Sequence, residues 1–210
     1  MSNVVYRAKN DKYRLDIIQE MDPESPRKWD NLGTMVCSHR RYNLGDEQAK
    51  NIGDYDSWDE WLQYEVFDLY GGEENVLYMP LYLYDHSGIT MNTTGFSCSW
   101  DSGQVGWIYV TKDKLRRETG YSNDDSFSRK AAYEMLESEV EVYDMYLRGS
   151  VYGFDLSEIH GCPCCGNVEY ESIDSLWGFY GDDLKQLVEG MKDNVSEEFR
   201  YMFDELEAVY

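Results

Sequence analysis

Residues 118–210 carry 22 acidic side chains against 6 basic ones, so any fold of this stretch must bury enough apolar surface to hold a net charge of −16 together. Self-repulsion at that density works against a compact state. A solvated acidic tail would be poor in aromatic residues, yet this stretch also contains Phe127, Tyr133, Tyr143, Tyr146, Trp177, Phe179, Tyr180, Phe199 and Phe203. It is therefore expected to fold. Residues 1–117, with 19 acids and 13 bases, are closer to balance, and the whole chain of 210 residues sums to −22. A surface this anionic repels nucleic acid and anionic membrane and draws in basic protein surfaces over long range. Neither direct nucleic-acid binding nor membrane association is expected.

With 42% hydrophobic residues the chain has ample material for a core. No stretch approaches the roughly 18–20 consecutive apolar residues that span a bilayer, and residues 1–16 lack the apolar run of a signal peptide. Residence in the cytoplasm where the chain is made is the expectation. Five cysteines, three of them clustered at Cys162, Cys164 and Cys165, do not make a secreted disulfide framework.

The periodicities read as an α+β fold: one domain over residues 1–210, with a mixed or antiparallel sheet and three to four amphipathic helices. Strands are predicted at Val4 to Ala8, Tyr13 to Ile18, Thr34 to Ser38, Val76 to Tyr84 and Gly106 to Val110, with Pro80 marking an edge or a bulge. Ser57 and Glu60 read as a capping box opening a helix on which Trp58, Trp61, Leu62, Val66 and Leu69 recur at helical spacing until Gly71-Gly72. A short helix is expected from Lys112 to Glu118. The clearest helix is Ser126 to Leu147, with Ala132, Leu136, Val140, Tyr143 and Leu147 as its apolar stripe and Gly149 as its cap. Val151 to Ile159 and Val168 to Leu176 read as hairpin arms around a tip at 160–167. Val195 to Tyr210 reads as a terminal amphipathic helix with Phe199, Met202, Phe203 and Leu206 inward.

On the long helix, Glu134, Glu137, Glu141 and Asp144 share a second stripe. A solvated face is the ordinary explanation of such a stripe. Like charges three and four residues apart nevertheless cost helix stability, and Glu139 adds a fifth acid with only Arg148 following nearby. At a rise of about 1.5 Å per residue the four carboxylates stand roughly 5 Å apart, against about 3.4 Å between phosphates along one DNA strand. The stripe, with Glu197, Glu198, Asp204, Glu205 and Glu207, is thus a candidate surface for a basic partner that normally holds nucleic acid.

Cys162 and Cys165 stand in the C-x-x-C spacing of a thiolate knuckle, with His160 and Cys164 as local companions. Tetrahedral structural zinc needs four ligands, and no second C-x-x-C exists; Cys37 with His39, or Cys98, would have to be brought in by the fold. The expectation is a hairpin tip with free thiols, well under one zinc per chain, and no cofactor. The central loops supply a second candidate site. Trp29, His39, Arg40, Arg41, Asp85, His86, Trp100, Asp101 and Gln104, with Asp30, Asn31 and Ser87, offer the flat rings and convergent polar groups of a small-molecule pocket. Asp85-His86-Ser87-Gly88 holds the residue types of a hydrolase triad, but adjacent residues cannot form the relay, and no nucleophile elbow is present. Gly103-Gln104-Val105-Gly106 lacks the lysine of a phosphate loop and reads as a tight turn.

The blocks Ser25 to Cys37 (containing WDNLGTMVC), His39 to Asp46 (HRRYNLGD), Tyr84 to Met91 (YDHSGITM), Trp100 to Gly106 (WDSGQVG) and Trp177 to Gly181 (WGFYG) together resemble a family of acidic, largely uncharacterised proteins of bacteriophages and other mobile elements. The cysteine-bearing tip looks like a variable insertion in that pattern. The resemblance carries no enzyme assignment and implies a genomic setting. Small acidic proteins of such elements often inhibit host defence, including restriction and CRISPR nucleases. What the resemblance and the charge imply together is a non-enzymatic inhibitor of a basic host effector. The alternative is a protein or enzyme that binds a nucleotide signal in the central loops, with Arg40 and Arg41 on phosphate and the tryptophans on the base.

Overall fold

The computed structural model describes residues 3–121 and 125–209, and its chain forms two compact units. One comprises Met1–Glu24 with Gly149–Tyr210, and the other comprises Ser25–Arg148. The fold class is α+β, with one antiparallel and one mixed five-stranded sheet.

In the first unit, β1 (Val4–Lys9) and β2 (Tyr13–Gln19) form a hairpin closed by Asn10, whose Oδ1 accepts the Lys12 and Tyr13 amides at 2.9 and 2.8 Å. β8 (Val151–Gly161) pairs with β2, β9 (Val168–Tyr180) pairs with β8, and β10 (Glu207–Ala208) pairs with β1, giving the order β10-β1-β2-β8-β9. Alternation along the strands sends Leu15, Ile17, Phe154 and Leu156 into a core with Met191 of α5 (Leu184–Lys192) and with Phe199, Met202 and Phe203. Asp183 caps α5 by accepting the Lys185 amide. On the alternate positions, buried Asp16 lies between Arg7 (2.6 Å) and Arg14 (3.4 Å), and Arg14 stacks 3.6 Å above the Tyr170 ring.

The terminal segment departs from the sequence expectation. Glu197–Glu205 is a 3-10 helix, and the residues after it form β10. Phe199 and Met202, like Phe203 and Leu206, are three apart, a spacing that one three-residue turn satisfies as well as an α-turn. The final residues gain more from the open edge of β1, where Val209 donates to Val5 O at 3.0 Å.

The second unit has the order β4-β3-β7-β5-β6, built from β3 (Thr34–Cys37), β4 (Glu47–Gln48), β5 (Val76–Asp85), β6 (Ile89–Asn92) and β7 (Ser102–Thr111). β3 and β4 are parallel and the other pairs antiparallel. Met35, Cys37, Ile108 and Val110 pack with Leu115 of α3 (Lys112–Thr119) and with the stripe Ala132, Leu136, Val140 and Tyr143 of α4 (Ser126–Arg148). The alternate residues Val36, Val76 and Trp107 pack against Trp61, Leu62, Val66 and Phe67. A sheet between two helical layers results. Pro80 lies where β6 has not yet begun to pair, so its missing N–H faces a free edge, and a bulge follows at Leu81/Tyr82.

The 58–70 helix contains an irregularity that the sequence pattern hid. Between α1 (Trp58–Leu62) and α2 (Asp68–Tyr70), Gln63–Phe67 forms a π turn. One extra residue per turn puts Leu62 and Phe67, five apart, on the same buried face. Leu69, expected inward, is consequently 70% exposed. Ser57 caps the helix as expected, although Glu60 reaches back to the Asp56 amide rather than that of Ser57. The expected turn at Gly103 to Gly106 is instead strand, within β7. At Gly106 a Cβ would stand 2.0 Å from Val36 O, so the glycine admits the close approach of β3.

Candidate functional site

Three strand ends converge at one end of the second unit's sheet. β7 lies between β3 and β5, and its first residues are fixed on both sides, by Ser38 N–H donating to Val105 O and Asp85 N–H donating to Asp101 O, each at 2.8 Å. The loop after β3, the end of β5 and the start of β7 thereby enclose a concavity of about 500 Å³. It gathers His39, Arg40, Arg41, Asp85, Trp100, Asp101 and Gln104, seven of the nine pocket residues expected from sequence, together with Ser38 and Ser102. His86 stands beside it, its Nδ1 3.3 Å from Asp101 Oδ2. Trp29 is not part of it. That residue ends the 3-10 turn Pro26–Lys28, where Asn31 donates to the Trp29 and Pro26 carbonyls and accepts Lys114 Nζ on its own.

Within the concavity Arg41 donates to the Asp85 carboxylate, and His39 stacks on Tyr42 with ring centres 5.0 Å apart. Burial lowers the pKa of His39; Asp85 opposes the shift, and Arg41 and Arg40 reinforce it. Trp100 is 94% exposed. Ser87, at φ 60°, occupies the β5–β6 turn where His86 N–H donates to Gly88 O, so Asp85-His86-Ser87 serves as a turn and not as a relay. The arrangement suits capture of a ligand with an anionic group and a flat ring: one exposed guanidinium, one neutralised guanidinium and an indole face.

The acids of α4 divide into two classes. Asp144 accepts Thr90 Oγ1 at 2.6 Å, the Met91 amide at 2.7 Å and Arg148 Nε at 2.8 Å, so it anchors β6. Glu139 accepts the Leu32 and Gly33 amides and Arg27 Nη1, and Arg27 in turn bridges to Asp46. Glu134, Glu137 and Glu141 are exposed; Glu134 meets Lys130 at 3.3 Å, and the other two have no ion pair among the described residues. In the first unit, Glu197, Glu198 and Glu205 are exposed on the 3-10 helix, Asp204 pairs with Lys192 at 2.6 Å, and Glu207 lies in β10.

At the β8–β9 tip, Cys162 N–H donates to Asn167 O at 2.7 Å and Gly166 N–H to Cys162 O at 3.0 Å, closing the turn. The Sγ atoms of Cys162, Cys164 and Cys165 all lie within 4.8 Å of one another, those of Cys162 and Cys164 only 2.9 Å apart. Hydrogen bonds from the Cys164 thiol first, and then from the Cys164 amide and from Cys165, lower the Cys162 thiol to about 6. His160 is not brought into this group: its Nε2 faces Glu171 at 3.1 Å and Glu158 at 3.9 Å. Cys37 is buried in the second unit, where burial pushes its thiol up to about 12.

Sequence reasoning missed the anchoring roles of Glu139 and Asp46. The only signal was a lone acid on the flank of the α4 stripe and another at the end of a glycine-bearing block. Comparison with protein families, with curated proteins and with solved structures yields no match, so the roles assigned to these residues rest on geometry alone.

Proposed function

We propose that the chain acts by binding rather than catalysis, as a bacteriophage or mobile-element inhibitor. Its acidic surface would occupy the nucleic-acid channel of a basic host defence effector, a restriction or CRISPR nuclease in kind. The observation that carries the reading is the division of the α4 acids. Glu139 and Asp144 are used to hold loops, whereas Glu137 and Glu141 stay exposed with no ion pair among the described residues, in a chain of net −22. Carboxylates left in this way gain Coulomb energy when a basic surface arrives, and they steer its approach. The test is binding of effector captured from the host, measured across salt. Affinity should fall steeply as salt rises, and the triple variant Glu134→Lys, Glu137→Lys, Glu141→Lys should bind at least about tenfold more weakly, 1.4 kcal/mol. Salt-independent binding, or full affinity in the triple variant, refutes the mechanism.

A second reading is favoured by the convergence of seven expected residues on one concavity. Arg40 and Arg41 would hold a phosphate and Trp100 a base, making the protein a receptor for a nucleotide signal. A thermal shift with a nucleotide panel, lost in Arg40→Glu, supports it; no shift with any nucleotide counts against it.

A further inference from the structure

We infer that the β8–β9 tip is a metal site in its own right: Cys162, Cys164 and Cys165 form a three-thiolate cradle for a thiophilic divalent cation such as zinc or cadmium, with the fourth position left to an exogenous ligand. The three Sγ atoms already lie within 4.8 Å of one another. With metal–sulfur bonds of about 2.3 Å, a tetrahedral or trigonal centre needs sulfurs about 3.8–4.0 Å apart. The cradle reaches that geometry by opening the 2.9 Å Cys162–Cys164 approach about 1 Å, with Cys165 Sγ already within 4.8 Å of both. The expectation of a bare turn rested on the need for four protein ligands, and a site that takes its fourth ligand from solution has no such need.

Donor type selects the cation. Three sulfurs and no imidazole favour soft or borderline ions over magnesium or calcium. Charge selects among those, because the strands leading into the tip carry Glu158 on β8 and Glu169 and Glu171 on β9, and nearby carboxylates favour two positive charges over one. His160 is held by Glu171 and Glu158 and stays outside the coordination sphere. On binding, each thiol still protonated releases its proton to the buffer. The turn itself is already closed by the Cys162–Asn167 and Gly166–Cys162 hydrogen bonds, so the metal is not needed to form the hairpin. Such a site loads and unloads without unfolding the unit.

The experiment is titration of the reduced full chain with cadmium alone, reading the ultraviolet thiolate-to-cadmium charge-transfer band together with native mass. One cadmium per chain is expected, and cadmium should also displace zinc from a zinc-loaded chain, the softer ion being preferred by three sulfurs. The one-to-one band should be lost in Cys162→Ser, in Cys164→Ser and in Cys165→Ser, and retained in His160→Ala, with far-ultraviolet dichroism unchanged throughout. Absence of a band overturns the inference. So does a band that survives all three cysteine substitutions together, one lost with His160→Ala, one metal shared by two chains, or a two-hydrogen mass loss showing that the thiols have paired as a disulfide instead.

Discussion

Replacing Arg27 by methionine should destabilise the second unit by about 3–5 kcal/mol, the cost of leaving a buried ion pair with one partner missing. The Arg27 side chain is only 4% exposed; its guanidinium meets Asp46 at 2.6 and 2.9 Å, Glu139 at 2.8 Å and the Gly33 carbonyl at 2.8 Å. Methionine fills much of the volume but leaves two half-buried carboxylates facing each other with no cation between them. Each still accepts backbone amides, Asp46 from Met35 and Glu139 from Leu32 and Gly33, so neither can turn out to solvent without breaking the loops on either side of β3. The assay is urea unfolding followed by a probe within the second unit. With a slope of about 2 kcal/mol per molar for a unit of this size, the midpoint should fall by about 1.5–2.5 M. Glu139→Gln combined with Arg27→Met should cost less than the sum of the two single changes, because the charge that the methionine strands has been removed. A loss below about 1 kcal/mol for Arg27→Met, or strict additivity in the pair, would refute the reasoning.

The π turn predicts opposite fates for neighbours on one helix: Phe67→Ala should cost about 3–5 kcal/mol, whereas Leu69→Lys should lie within about 0.5 kcal/mol of the parent, both read from thermal melts, and equal effects would restore a regular α-helix. His39, its pKa lowered by burial, should titrate below about 6.5 by proton NMR. The native state then binds fewer protons than the unfolded chain in that window, so this residue's contribution to stability falls as pH drops through about 6.5, and a titration midpoint above that value would reverse the sign. Cys162, lowered to about 6, should be alkylated by iodoacetamide at a rate that is near its plateau at pH 7 and drops on acidification through pH 6; a rate still climbing through pH 8 would show an ordinary thiol.

How much could be read from the sequence depended on whether a segment's partners lie nearby along the chain. The stripe at Ala132, Leu136, Val140 and Tyr143 fixes one helix face with no outside information, and all four residues are buried. Val195 to Tyr210 offered the same apolar periodicity, but its last residues pair with β1, nearly the whole chain away, and local spacing carries no trace of that edge. β6 and β4 are too short for alternation to register, and α5 is a nine-residue helix with Gly190 inside it, so that its periodic stripe is brief even though Asp183 marks its start. Gly103 and Gly106 were ambiguous in kind, since glycine serves a turn and a close strand crossing equally well. The concavity was legible as a set of residue types; that Trp29 falls outside it follows from the 3-10 turn Pro26–Lys28, which is too short to leave a periodic signal.

The order in which the chain is made bears on the split first unit. Leu15 and its cross-strand partner Leu156 are encoded 141 positions apart, and a ribosome adding about 5–20 residues each second takes roughly 7–28 s to cover that distance. For an interval of that length, from its own emergence to that of β8, the β1–β2 hairpin is outside the exit tunnel without the strand that pairs with Leu15 and Ile17. The second unit, contiguous from Ser25 to Arg148, can reach its own core before β8 leaves the tunnel. Nascent chains halted when Arg148 has just cleared the exit tunnel should therefore carry one finished unit and one sticky hairpin.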